Sequence, residues 1–131
     1  MKFDLLRFDL LRTAITAVAL IAAPAIVKAH GSMNPKHGGL VEMPGETLTE
    51  LASTPKGVDV YLSEEDKPTL TAGFTGKLAQ TIAGKRTEAV LKPSGGNKLS
   101  APGFKPARGA KLVVTVVDKS GAKVFVTFQT K

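Results

Sequence analysis

From Leu40 to the C-terminus apolar side chains recur at every second position, and glycine or proline breaks the alternation at short intervals. A period of two is the signature of an extended strand with one face in a core, whereas an amphipathic helix needs a period near 3.6. Val58, Val60 and Leu62 share one face, with Asp59, Tyr61 and Ser63 on the other. Leu112, Val114 and Val116 repeat the pattern, as do Val124, Val126 and Phe128, and Lys119-Ser120-Gly121 between these two runs reads as a hairpin turn. Further strands are expected near Leu40 to Met43, Glu46 to Ser53, Lys77 to Ala83, Thr87 to Lys92 and Lys98 to Ala101. Pro44-Gly45, Pro55-Lys56-Gly57, Ala83-Gly84-Lys85 and Ser94-Gly95-Gly96-Asn97 punctuate them with residues that preset a bend or accept positive φ. The expected fold is all-β: a single small antiparallel β-sandwich, immunoglobulin-like, favoured over a small barrel, with about seven or eight strands.

The first 29 residues stand apart from that domain. Lys2, Arg7 and Arg12 form a positive n-region, and the uncharged run from Thr13 to Val27 follows. At about 15 residues the run is shorter than the roughly 20 needed to cross a bilayer core, so it reads as a secretory signal and not as an anchor. The repeat Phe3-Asp4-Leu5-Leu6-Arg7 and Phe8-Asp9-Leu10-Leu11-Arg12 falls wholly inside the discarded part. Two frames place small residues before a cut, Val27-Lys28-Ala29 and Ala23-Pro24-Ala25. Proline beside the scissile bond disfavours the second, which also leaves Val27 and Lys28 without a role. Cleavage after Ala29 gives a signal peptide over 1–29 and one domain over 30–131, and a periplasmic location follows. One core is expected, because this length is too short for two.

Charge and composition narrow the function. Removing Lys2, Arg7, Arg12 and Lys28 from 18 bases, and Asp4 and Asp9 from 11 acids, leaves 14 against 9, a formal +5. The bases are scattered, Lys85-Arg86 being their one adjacent pair, which reads as a soluble surface and not as a nucleic-acid footprint. Cysteine is absent, so no thiolate holds a metal and no disulfide staples the fold. Glu64-Glu65-Asp66-Lys67-Pro68 lacks the ligand ladder of a calcium loop. Gly73-Phe74-Thr75-Gly76-Lys77 lacks the spacing and following helix of a phosphate loop. No serine lies near a histidine in an elbow motif, and the domain is not read as an enzyme.

The remaining feature is chemical. Cleavage after Ala29 makes His30 the new N-terminus, and His37, the second of two histidines, follows closely. A terminal histidine offers a metal its α-amine and its ring Nδ1 in one chelate; a second imidazole adds a third nitrogen, a set that copper(II) favours. Met33 between them supplies a soft thioether suited to copper(I). Gly31, Gly38 and Gly39 allow the backbone to fold back, and Pro35 limits the slack. The plainer reading is a flexible leader that His37 and Met33 merely decorate, with Met43, in phase with Val41, in the core.

A small exported β domain with a histidine directly after its signal resembles the periplasmic copper-binding proteins of the CopC type. Val60-Tyr61-Leu62, Asp66-Lys67-Pro68 and Thr71-Ala72-Gly73-Phe74-Thr75-Gly76-Lys77, with the opening His37-Gly38-Gly39, also resemble small, mostly uncharacterised periplasmic proteins found alongside heavy-metal efflux systems. The resemblance implies a β-sandwich and a copper ion held at the N-terminal histidine. Such proteins draw further histidine or aspartate ligands from later loops; with no third histidine, Asp59, Asp66 or Asp118 has to serve, or the site is smaller.

The expected function is that of a periplasmic metal carrier or buffer, for copper above other metals, with a metal-binding segment over 30–43. Its ligands are His30, Met33 and His37, and its partner is an efflux or delivery protein. The alternative is a non-metal β module that docks on a cell-envelope or efflux partner. A copper oxidase of the histidine-brace sort shares His30, but with one tyrosine and no tryptophan a polysaccharide platform is hard to assemble.

Overall fold

The alternating runs become strands because each can bury one row of side chains while its backbone groups pair with a neighbour. The computed structural model describes residues 33–131; the proposed export segment 1–29, and His30 with it, lie outside the described residues. Nine strands follow in order: β1 (Leu40–Glu42), β2 (Leu48–Thr54), β3 (Gly57–Glu64), β4 (Lys67–Pro68), β5 (Thr75–Ile82), β6 (Lys85–Pro93), β7 (Lys98–Pro102), β8 (Lys111–Val117) and β9 (Lys123–Gln129). No helix occurs among the described residues, so none there is long and apolar enough to cross a membrane.

Every pairing is antiparallel, and the strand order is β1-β2-β3-β7-β6-β5-β8-β9, with β4 attached to β3. Where two separate sheets were expected, the hydrogen bonding follows one continuous path. β6 makes the join: it pairs with β5 from Lys85 to Leu91, then with β7 through Lys92 and Pro93. The end strands β1 and β9 touch, so the sheet is nearly closed into a barrel. Closure leaves little exposed edge for unwanted strand pairing.

The core lies inside this wall. Val58, Val60 and Leu62 of β3, Leu112, Val114 and Val116 of β8, and Leu78, Leu91, Leu99 and Phe128 from the neighbouring strands are all at most 4% exposed. Removing a large aliphatic side chain from such a site costs about 2–5 kcal/mol. Met43, the expected core residue, is half-buried just past the end of β1 and is not part of the cluster. Its strand stops at Glu42, before Pro44 and Gly45 turn the chain.

Two connections are two-residue turns with left-handed backbone at both positions: Glu65-Asp66 (φ 51° and 66°) joins β3 to β4, and Ala83-Gly84 (φ 50° and 77°) joins β5 to β6. This geometry matches the strand twist of a tight hairpin, but it strains any residue with a Cβ. The β8–β9 turn is closed by Asp118, whose Oδ1 accepts from Ser120 N (2.8 Å), Ser120 Oγ (2.6 Å) and Ala122 N (3.0 Å).

The motif from Thr71 to Lys77 does structural duty. Thr71, fully buried, donates its hydroxyl to Lys98 O (2.9 Å) and its backbone N–H to Gly96 O (3.0 Å), tying the β4–β5 connection to the β6–β7 loop. Asn97 in that loop donates through Nδ2 to Leu62 O (2.8 Å), bracing β3 beside the site described next.

Candidate functional site

β2 is buried along both faces from Leu48 to Ala52, which alternation alone does not predict. Leu51 belongs to the core, so Glu50 points outward, yet it is only 3% exposed. What covers it is the segment Lys36-His37-Gly38-Gly39. Oε2 of Glu50 accepts from His37 N (2.7 Å) and Gly39 N (2.9 Å); Oε1 accepts from Lys36 N (3.0 Å) and faces His37 Nδ1 at 3.0 Å.

The local sequence makes this clamp feasible. Gly38 adopts φ +72°, which turns successive amides toward one point, a concave nest for an anion. Gly39 packs directly on β2, where a Cβ would fall on the Leu51 carbonyl oxygen. Burial by itself would raise the Glu50 carboxyl, but the Gly39 amide, the His37 ring and the Lys36 and His37 amides outweigh it and hold the group below the ordinary glutamate range.

His37 is fixed on a second side. Its ring lies flat on Tyr61, with centroids 3.5 Å apart and planes 2° apart. Register explains the meeting, because Val41, Glu50, Tyr61 and Lys98 form one cross-strand row on the outer face of β1-β2-β3-β7. Burial, then the negative charges of Asp59 and Glu50, push the Tyr61 phenol above its usual value.

The arrangement assigns the imidazole nitrogens. An ionised carboxylate only accepts, so Nδ1 of His37 carries the proton and the lone pair of the neutral ring sits on Nε2. Imidazoles that ligate metals are oriented in this way, the second nitrogen donating to a carboxylate that raises the basicity of the first. The His37 side chain remains 40% exposed. It borders a concavity of about 180 Å³ with Glu50, Tyr61, Ser63, Asp66 and Asn97.

Of the expected ligands, His37 is thus held in place and Met33 lies on the surface, 48% exposed. His30 falls outside the described residues. Among the three aspartates considered as additional ligands, Asp118 closes the β8–β9 turn and Asp59 accepts from Ser100 Oγ (2.6 Å), while Asp66 shares the concavity with His37. No group of three His, Asp or Glu able to hold a metal occurs among the described residues. Glu50 and Tyr61 were not anticipated; the one trace of them in the sequence is that both stand on the solvent side of their strands.

Comparison with known proteins returned no matching family model, no matching curated protein and no matching solved structure.

Proposed function

We propose that the protein is a periplasmic metal-binding carrier or buffer, with copper its best-fitting metal, and that His37 Nε2 is the anchoring ligand of the folded domain. The observation that carries this reading is the buried Glu50 carboxylate on His37 Nδ1, with the ring stacked on Tyr61. Preorganising one imidazole lowers the entropy cost of assembling a site. The α-amine and ring of His30, exposed by cleavage after Ala29, complete the nitrogen set, and Met33 is the soft ligand for copper(I). Asp66, which borders the same concavity, is the carboxylate ligand in this reading. In this reading the CopC-like sandwich is a flattened form of the nearly closed sheet, with layers β1-β2-β3-β7 and β6-β5-β8-β9.

The domain's own residues then act in named ways. Glu50 keeps the ring in the tautomer that offers Nε2, Tyr61 prevents its rotation, and Gly39 locks the segment to β2. Copper(II) titration of the processed chain should give a dissociation constant below about 1 μM. One additional residue before His30, or His37→Ala, should weaken binding by at least about tenfold, ~1.4 kcal/mol. Equal affinity of all three forms would reject the assignment.

A second reading is a non-metal module that docks on an envelope or efflux partner. It is favoured by a separate concavity of about 460 Å³ bordered by Thr54, Lys56, Asp59, Lys98, Ser100 and Pro102. Its walls mix apolar surface with paired Asp59 and Ser100 and two lysines, suited to an extended polar peptide. Copper binding no tighter than by a scrambled 30–39 peptide would favour this reading.

A further inference from the structure

The bases that look scattered along the chain are gathered by the fold. Residues 33–74 hold seven Asp and Glu against Lys36, Lys56 and Lys67, a formal −4. Residues 75–131 hold eleven Lys and Arg against Glu88 and Asp118, a formal +9. The first set builds β1 to β4 and the second β5 to β9, so the barrel wall is acidic on one side and basic on the other.

The registers of β6, β5, β8 and β9 show which residues share the basic outer face. Lys77 stands opposite Val90 on one side and Thr115 on the other, and Thr115 stands opposite Phe125, giving the row Val90, Lys77, Thr115, Phe125. Lys123, opposite Val117, lies one step along β9, and Lys111 and Arg86 lie further along the same face. Glu88 is its one acid, held by Arg86 (2.8 Å) and Lys77 (3.7 Å).

Two further features define the chemistry. Lys77, Arg86 and Lys123 border an open concavity of about 340 Å³ on this face, floored by Gly76 and Thr115. The row is bounded by two large apolar side chains in water, Val90 at 60% and Phe125 at 61% exposure. They stand about 14 Å apart at three strand spacings.

We propose that this face docks peripherally on an anionic phospholipid surface, with a head-group phosphate among Lys77, Arg86 and Lys123, and with Phe125 and Val90 entering the acyl boundary. Cations around exposed apolar side chains match an anionic bilayer, which offers both contacts in one plane. Free phosphate has no use for the apolar pair, and the acidic half faces away from the surface. The inference does not depend on the metal reading.

The chain has no tryptophan, so Phe125→Trp gives a single reporter. With vesicles of phosphatidylcholine carrying about one third phosphatidylglycerol, the reporter should shift to the blue and be quenched by brominated acyl chains. Native protein should co-sediment with the same vesicles, and about 0.5 M salt should release most of it. The pair Lys77→Gln and Lys123→Gln should weaken binding about thirtyfold, the equivalent of about 1 kcal/mol per base. Lys56→Gln with Lys67→Gln, on the acidic half, should change nothing. Equal binding to pure phosphatidylcholine, absence of binding to both vesicles, or tighter binding to duplex DNA than to the anionic vesicles would overturn the proposal.

Discussion

Replacing Glu50 with glutamine removes a charge and one acceptor while leaving the shape of the side chain almost unchanged. The carboxylate takes two bonds on each oxygen, from the amides of Lys36, His37 and Gly39 and from the His37 ring. An amide NH₂ at either position faces two donors and accepts from neither. Hydrogen bonds to a charged group are worth about 1.5–3 kcal/mol each, so losing two removes up to about 3–6 kcal/mol of docking energy from residues 36–39. The loss is local, because the segment can lift into water while the core of β3 and β8 stays packed. Amide exchange followed by NMR reads both parts: in Glu50→Gln the Lys36, His37 and Gly39 amides should lose protection, while those of Val60 and Val114 keep theirs. Protection at residues 36–39 equal to that of the native chain would show that the Glu50 carboxylate does not hold the segment.

Acid should repeat the effect. The folded Glu50 carboxyl lies below its unfolded value of about 4.3, so its stabilising contribution is complete above that pH and is lost as the pH falls through the folded value. Exchange protection at Gly39 should persist at pH 5 to 6 and disappear only in stronger acid; loss already at pH 5 to 6 would show that the Glu50 carboxylate does not control it. Thr49→Val should raise stability by about 1 kcal/mol in urea unfolding, because the Thr49 hydroxyl is fully buried and finds no partner among the described residues. Destabilisation would mean that the hydroxyl is satisfied. Ala83→Gly should add about 1 kcal/mol by relieving φ +50° in the β5–β6 turn, read as a higher melting midpoint; a lower one would show that strain there is negligible.

The strands were legible because the core rows of β3, β8 and β9 hold an apolar side chain at every second position without a gap, whereas the near-closure of the sheet was not, a sandwich having been expected. β4 was not, since two residues carry no period and a left-handed Glu65-Asp66 turn is formed by residues with no strong preference for it. Continuity of the sheet was hidden in Lys92 and Pro93, which look like a strand end and instead carry β6 over to β7. At the site, His37 and Gly39 were visible as candidates, but their fixed position was not. It comes from Glu50, thirteen and eleven residues away, and from a ring contact set by strand register. The basic face escaped notice for the same reason: Lys77 and Lys123 are far apart in sequence and meet only across β5, β8 and β9.

The most direct test of the proposed metal site is native mass spectrometry of the protein purified from the cells that make it, with and without copper(II). The expected result is a chain beginning at His30 that retains one copper ion, and a His37→Ala chain that retains a clearly smaller fraction under the same conditions. A chain beginning at Ile26, or equal retention by the native and His37→Ala forms, would contradict it.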